Sequence, residues 1–168
     1  MSTLKFYHVN TDYLDFLSKH QKFIWKNDYE GVIRPYIGIV FEINGFKYYS
    51  PLSSFKPNRN GRTFERIDLK IVKIRGREVA FLQINNMIPV HDSLITLVDI
   101  STFDQAYQDL LNAELAYIRP KSIEITRDAE RVYHLTTTYK SDLANEVLVS
   151  RCYDFKLLEN LLTQYLNR

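Results

Sequence analysis

The pair Asn44-Gly45 separates two runs of β-forming residues, Tyr36 to Ile43 and Phe46 to Tyr49. Both residues of the pair tolerate the positive φ that a two-residue hairpin turn demands, so the runs are expected to lie side by side as antiparallel strands. Gly38 inside the first run predicts a bulge or a close backbone approach. Pro51 has no N–H to give and is expected to end the second strand. Ser53, Ser54 and Lys56 would then stand on a loop held by a rigid scaffold, where polar groups are available for chemistry. An ordinary serine-rich turn fits the same spacing.

The rest of the chain arranges itself around that hairpin. Leu4 to Val9 reads as a strand, and Asn10 or Thr11 caps a helix with Asp12 and Asp15 in its first turn. Lys19 to Arg34 reads as a long polar loop interrupted by Phe23, Trp25 and Tyr29. Ile67 to Ile74 and Glu78 to Ile84 predict a second hairpin over Arg75-Gly76-Arg77, with Met87 to Val90 a short edge or a strand entry and Ile95 to Ile100 a further strand. Ser101 or Thr102 is expected to cap a helix carrying Tyr107, Leu110, Leu111, Glu114 and Leu115. Pro120 restarts the chain into a second helix from about Lys121 to Leu135. Phe155, Leu158, Leu161, Leu162 and Tyr165 mark a third. Strands precede helices, which predicts an α+β fold: one domain over 1–168, a twisted and mostly antiparallel sheet flanked by helices, with a helical last third.

At 168 residues the chain can bury a real core without metals or disulfides. One cysteine, Cys152, excludes an intrachain disulfide and suits a reducing cytoplasm. No apolar run is long enough for a membrane helix, and Met1 to Phe6 lacks a secretory layout. His8, His20, His91 and His134 do not stand at zinc-ligand spacing, and no glycine-rich phosphate loop is present. Chemistry without metal or cofactor is therefore expected. Cys152 reads as a small core residue, and His8 and His91 as structural.

Charge is unevenly spread. Lys56, Arg59, Arg62, Arg66, Lys70, Lys73, Arg75 and Arg77 face only Glu65 and Asp68, so this segment carries +6 in a protein of net +2. A local basic block on a near-neutral protein is the footprint of a phosphate-binding face, although a solvated hairpin has the same composition. Cleaving RNA at such a face without metal needs a base for the 2′-hydroxyl, an acid for the leaving 5′-oxygen, and fixed cations for the transition-state charge. Lys56 and Arg34 suit the last role, and Ser54, Ser53 and Tyr29 could orient the phosphate and relay protons. Tyr48 and Tyr49 alternate across a strand, so at most one of them can face RNA.

Several segments together resemble the ToxN/AbiQ family of endoribonuclease toxins from type III toxin–antitoxin and phage abortive-infection systems. They are Leu4-Lys5-Phe6-Tyr7 with the tyrosine-bearing helix after it, Tyr36-Ile37-Gly38-Ile39-Val40, Gly45-x-Lys47-Tyr48, Pro51-Leu52-Ser53-Ser54-x-Lys56, Ile84-Asn85-x-Met87-Ile88-Pro89-Val90, and Cys152-x-x-Phe155-x-Leu157-Leu158-Glu159. The resemblance spans essentially the whole chain. It implies that Ser53, Ser54 and Lys56 form the catalytic motif, with Ser54 the essential hydroxyl, and that Arg34 and Tyr29 join them. Arginine at position 34 keeps a cation but supplies no deprotonatable amine. Pro57-Asn58 stands where the family can carry an aromatic.

The resemblance also implies partners: cellular or phage RNA as substrate, and a small tandem-repeat RNA antitoxin, folded as a pseudoknot, which the toxin processes. Toxin and RNA would close into a ring of three toxins and three RNAs. The shared groove is expected along Arg34, Lys56, Arg59, Arg62, Arg66, Lys70, Lys73, Arg75 and Arg77, with Arg119, Lys121, Arg127 and Arg131 beside it. The products expected are a 2′,3′-cyclic phosphate and a 5′-hydroxyl. A non-catalytic RNA-binding module would use the same basic face without the positioned hydroxyls.

Overall fold

The computed structural model describes residues 3–29, 32–54 and 65–168, with residues 28, 29, 32, 33 and 54 as backbone only. β1 (Lys5–Val9) leads into α1 (Thr11–Ser18), whose first turn is closed by Asn10, its side chain accepting from Tyr13 N at 2.9 Å. β4 (Tyr36–Ile43) and β5 (Phe46–Ser54) form the central hairpin. Its turn residues Asn44 and Gly45 take φ of 51° and 81°, the left-handed geometry that the sequence anticipates. β6 (Leu69–Ile74) and β7 (Arg77–Gln83) form the second hairpin. With β8 (Ile88–Pro89) and β9 (Ile95–Leu97) they complete a seven-stranded sheet of order β6-β7-β5-β4-β1-β9, β8 lying beside β5, every pairing antiparallel.

Gly38 meets both of its expectations. The β4–β5 register shifts between Ile37 and Phe41, and a Cβ at Gly38 would stand 2.1 Å from the Tyr49 ring. Hydrogen is the only side chain that lets that ring lie across the strand.

Four expectations are corrected. Pro51 does not end β5: the strand runs on to Ser54, so Ser53 and Ser54 belong to the sheet rather than to a loop. Leu52 N donates to Pro35 O on the β4 side, so by strand alternation position 51 faces the opposite side. There β8 pairs only with Tyr48 and Tyr49, and β7 only with Leu52 to Ser54. The missing N–H falls at the changeover between two partners, where no ladder bond is lost. The segment after α1 is not all loop, since β2 (Asp28–Tyr29) and β3 (Val32–Ile33) pair as a small ribbon. The strand expected over Ile95 to Ile100 ends at Leu97. The helix α2 (Gln105–Ile118) is capped by Asp104, because Ser101 and Thr102 are spent in a 3-10 turn where both hydroxyls bond Asp99.

The last third is helical. α3 (Ser122–Thr136) follows a 3-10 turn at Pro120, and a short α4 (Glu146–Arg151), not foreseen, precedes α5 (Phe155–Leu166). α2 packs on β6, α3 on β4 and α5 on β8. At that interface Phe41, Tyr48, Tyr133 and Phe155 form one aromatic cluster. Tyr48 and Tyr133 both donate to Glu159 Oε1, at 2.9 and 2.6 Å, so the buried carboxylate is hydrogen-bonded. Burial, and then the Glu159 charge, push the Tyr48 phenol far above its ordinary range.

Candidate active site

Ser53 and Ser54 lie just past the point where β5 exchanges one neighbouring strand for another. Leu52, Ser53 and Ser54 pair with Leu82, Phe81 and Ala80 of β7. Ser53 is only 6% exposed, and its Oγ accepts from Gln83 Nε2 at 3.2 Å. A hydroxyl held through its lone pair keeps its own proton to donate. Gln83 escaped the sequence reading; its one signal is an amide closing the apolar run Val79 to Leu82.

Arg34 reaches the same place from the other side. Tyr36 pairs with Pro51 and Ile37 with Ser50, and Leu52 N donates to Pro35 O at 3.0 Å. The same antiparallel register, carried two residues further, sets Arg34 against Ser53. Its guanidinium lies 4.6 Å from the Trp25 ring centre, a cation–π stack that fixes the charge. Its backbone N donates to Asn27 O at 2.6 Å. Buried Asn27 in turn bonds both the N–H and the carbonyl of Val9, which bolts the entry to β4 onto β1. Tyr29 belongs to the ribbon that opens directly into Arg34, pairing across to Val32. Trp25 gives its carbonyl to the Tyr36 hydroxyl at 2.7 Å and its ring to Arg34.

The basic segment divides into two kinds of cation. Lys73, Arg75 and Arg77 are exposed at the tip of the β6–β7 hairpin. Ala80, the partner of Ser54, is three residues from Arg77, about 10 Å along the strand. The hydroxyl end of β5 therefore points toward the cationic tip. Lys70 is instead drawn inward, 3.3 Å from Glu124 and paired with Asp128. Burial opposes its charge, but the two carboxylates prevail and hold its pKa above the usual value. Arg66 Nε lies 3.2 Å from Asp68 Oδ1, while Arg151 grips the same buried carboxylate through two nitrogens at 3.0 and 3.2 Å. Burial would raise the Asp68 pKa, yet the hydrogen bonds from Arg151 and Arg66 leave it below the usual carboxylate range. Lys56, Arg59 and Arg62 lie outside the described residues.

Of the helical cations, Arg119 donates to Leu4 O at 3.0 Å and Lys121 stacks 5.0 Å from the Tyr117 ring centre. Arg127 and Arg131 are exposed, Arg127 lying 3.4 Å from Asp128. Tyr48 and Tyr49 are both buried, so neither faces a ligand. Burial and the neighbouring Asp68 charge push the Cys152 thiol up to about 12, which leaves it protonated and inert at neutral pH. His91 Nδ1 accepts from Ser93 N at 3.1 Å, the structural role expected of it.

Known proteins resemble this chain over nearly its full length. The endoribonuclease ToxN of Bacillus thuringiensis subsp. kurstaki is 29% identical over 169 residues, covering 98% of this chain and 85% of that protein. The endoribonuclease AbiQ of Lactococcus lactis subsp. lactis is 29% identical over 170 residues, covering 97% and 90%. A solved structure from work on selective toxin inhibition by a non-coding RNA pseudoknot in type III toxin–antitoxin systems superposes with a TM-score of 0.85. It is 27% identical, covering 99% of this chain and 100% of that one. The family model for the toxin ToxN of type III toxin–antitoxin systems matches residues 5–163, and the chain belongs to that family.

Proposed function

We propose that the protein is an endoribonuclease toxin that cuts RNA without a metal ion and is restrained by a cognate RNA. The observation that carries the reading is that Pro35, next to Arg34, accepts from Leu52 N, next to Ser53, at the end of β5 whose partner strand β7 leads to Arg77. The relatives named endoribonuclease support the same reaction class.

In the proposed reaction the substrate's 2′-oxygen attacks the adjacent phosphorus. The 2′-O–P bond forms as the P–O5′ bond breaks, and the proton lost from the 2′-hydroxyl returns to the 5′-oxygen. The products are a 2′,3′-cyclic phosphate and a 5′-hydroxyl, and no water is consumed. Consecutive strand residues turn to opposite faces, so one of Ser53 and Ser54 orients the phosphate and relays the proton with Tyr29, while Arg34 and Lys56 stabilise the charge that builds on the phosphoryl oxygens. Ser53 suits a donor's role because Gln83 occupies its lone pair. Arg34 stays protonated throughout, so its part is electrostatic.

The restraining partner is proposed to be a repeated pseudoknot RNA that the toxin processes itself and that lies along Arg66, Lys73, Arg75 and Arg77 toward Arg119 and Lys121. The assembly is proposed to be a ring of three toxins and three RNAs in the cytoplasm, with phage defence or plasmid maintenance as its setting. Incubation of the protein with a mixed RNA pool in EDTA, followed by sequencing of new ends, tests the reaction. Discrete cuts carrying cyclic-phosphate ends, lost in Ser54→Ala with RNA binding retained, are expected. Cuts that EDTA abolishes would overturn the metal-free chemistry. RNA that is bound but never cut would make this a binding module.

A further inference from the structure

Phe23 is the most exposed of the large apolar side chains among the described residues, at 89%. It also holds a φ of 63°. A bulky residue in the left-handed region is a genuine outlier that surrounding structure must enforce. Here the enforcement is visible on both sides. The Phe23 carbonyl accepts from the hydroxyl of buried Tyr153 at 2.6 Å, and the next residue, Ile24, is buried. Just before it, Gln21 Oε1 accepts from Asp154 N at 3.0 Å. The loop is thus bolted to the start of α5 in a conformation that a glycine would adopt without strain, yet it carries a phenyl ring turned out to solvent. Nothing in the core uses that ring.

Its surroundings show what it suits. Lys19 and Lys22 are exposed and make no ion pair among the described residues, whereas Lys26 is taken up by Asp15 at 2.7 Å. Two residues beyond Phe23 stands Trp25, whose ring carries the Arg34 guanidinium. Two residues of chain span at most about 7 Å between Cα atoms, so the Phe23 backbone stands a short step from that of Trp25, whose ring carries Arg34. A rigid, exposed aromatic set between cations is the arrangement that holds single-stranded nucleic acid, the ring stacking a base and the cations following the phosphates.

We infer that Phe23, with Lys19 and Lys22, is a docking platform on which an unpaired base of RNA stacks as the strand enters the site at Arg34. This rests on the RNA-cleaving reading above and extends it to a surface outside the basic hairpin.

The test uses the full chain with Ser54→Ala, so that a labelled mixed-sequence 12-nucleotide RNA is bound without being cut. Phe23→Gly is expected to weaken binding about 5- to 150-fold, the range found for losing one stacked base. Thermal stability should be unchanged or raised, because the left-handed strain is gone. Phe23→Trp is expected to restore binding. Lys22→Ser should lower the salt dependence of binding, which Phe23→Gly should leave alone. Wild-type affinity in Phe23→Gly overturns the platform while leaving the RNA reading intact. Failure of the Ser54→Ala parent to bind any RNA overturns both. Weakening in Phe23→Gly that tracks a lower melting temperature would show a merely structural ring, and would also overturn the platform.

Discussion

Asp68 is fully buried at the foot of the β6–β7 hairpin, and two guanidiniums converge on it from Arg66, two residues before it, and Arg151, at the end of α4. It joins the basic hairpin to the helical third of the chain. Asp68→Asn keeps the volume and removes the charge. Each lost charge-assisted hydrogen bond costs about 1.5–3 kcal/mol when its partner stays dry. Both arginines retain about a third of their exposure and recover some hydration, so the expected loss is about 2–4 kcal/mol. For a chain of this size that corresponds to a fall in Tm of roughly 4–16 °C. Arg151→Met keeps the stem packing and removes only the charge. In a double-mutant cycle by chemical denaturation the pair should then show a coupling of about 1–2 kcal/mol. Because the carboxyl's folded pKa is depressed, the stability it gives is present above the ordinary carboxylate range and fades only as pH falls through the lower folded value. The deficit of Asp68→Asn should therefore be the same at pH 7 and pH 5 and shrink below about pH 4. A Tm within 2 °C of wild type, or simple additivity with Arg151→Met, would refute the joint.

Two further perturbations test other parts of the framework. Gly38→Ala drives a methyl into the buried Tyr49 ring, whose nearest atoms stand at 2.1 and 2.3 Å. A loss of about 2–3 kcal/mol is expected by chemical denaturation, and an unchanged midpoint would show that the ring can move aside. Glu114, buried on the inner face of α2, has its pKa pushed by burial up to about 7. A raised folded pKa means the folded state keeps a proton that the unfolded chain has released, so stability falls from about pH 4.5 to pH 7 and then levels. Glu114→Gln should flatten that slope, with a gain at pH 8 of up to about 3 kcal/mol.

What could be read from the sequence was what neighbours in sequence decide. Asn44-Gly45 announces its turn because positive φ is a local cost, and Asn10 announces its cap because its acceptor lies three residues on. Pro51 misled because the rule for a missing N–H assumes that a strand keeps one partner on each side, whereas β5 exchanges β8 for β7 at that point. Ser101 and Thr102 misled because their hydroxyls were already spent on Asp99. The candidate site was legible as residue types and not as geometry. Ser53 and Ser54 stand out as residue types, but Gln83, thirty residues from Ser53, becomes the neighbour of the Ser53 hydroxyl only once β7 is paired. Lys70 looked like one more cation of a basic run, and its carboxylate partners, 54 and 58 residues distant, lie on another element.

That sorting of cations explains how a chain of net charge +2 can present a strongly basic face. Acidic residues of the helical third neutralise cations that the fold needs inside: Asp128 and Glu124 take Lys70. Asp68, on the hairpin itself, takes Arg151 from α4. Lys73, Arg75 and Arg77 are left exposed around the hairpin tip. Field at a surface depends on the charges that remain uncompensated there, not on the sum over the chain. A polyanion approaching the hairpin therefore meets a local excess, and the strand beneath it leads within about 10 Å to the Ser54 end of β5. Ser53 sits inside the sheet there, paired with Phe81 on one side and following Leu52, whose N–H bonds Pro35, on the other.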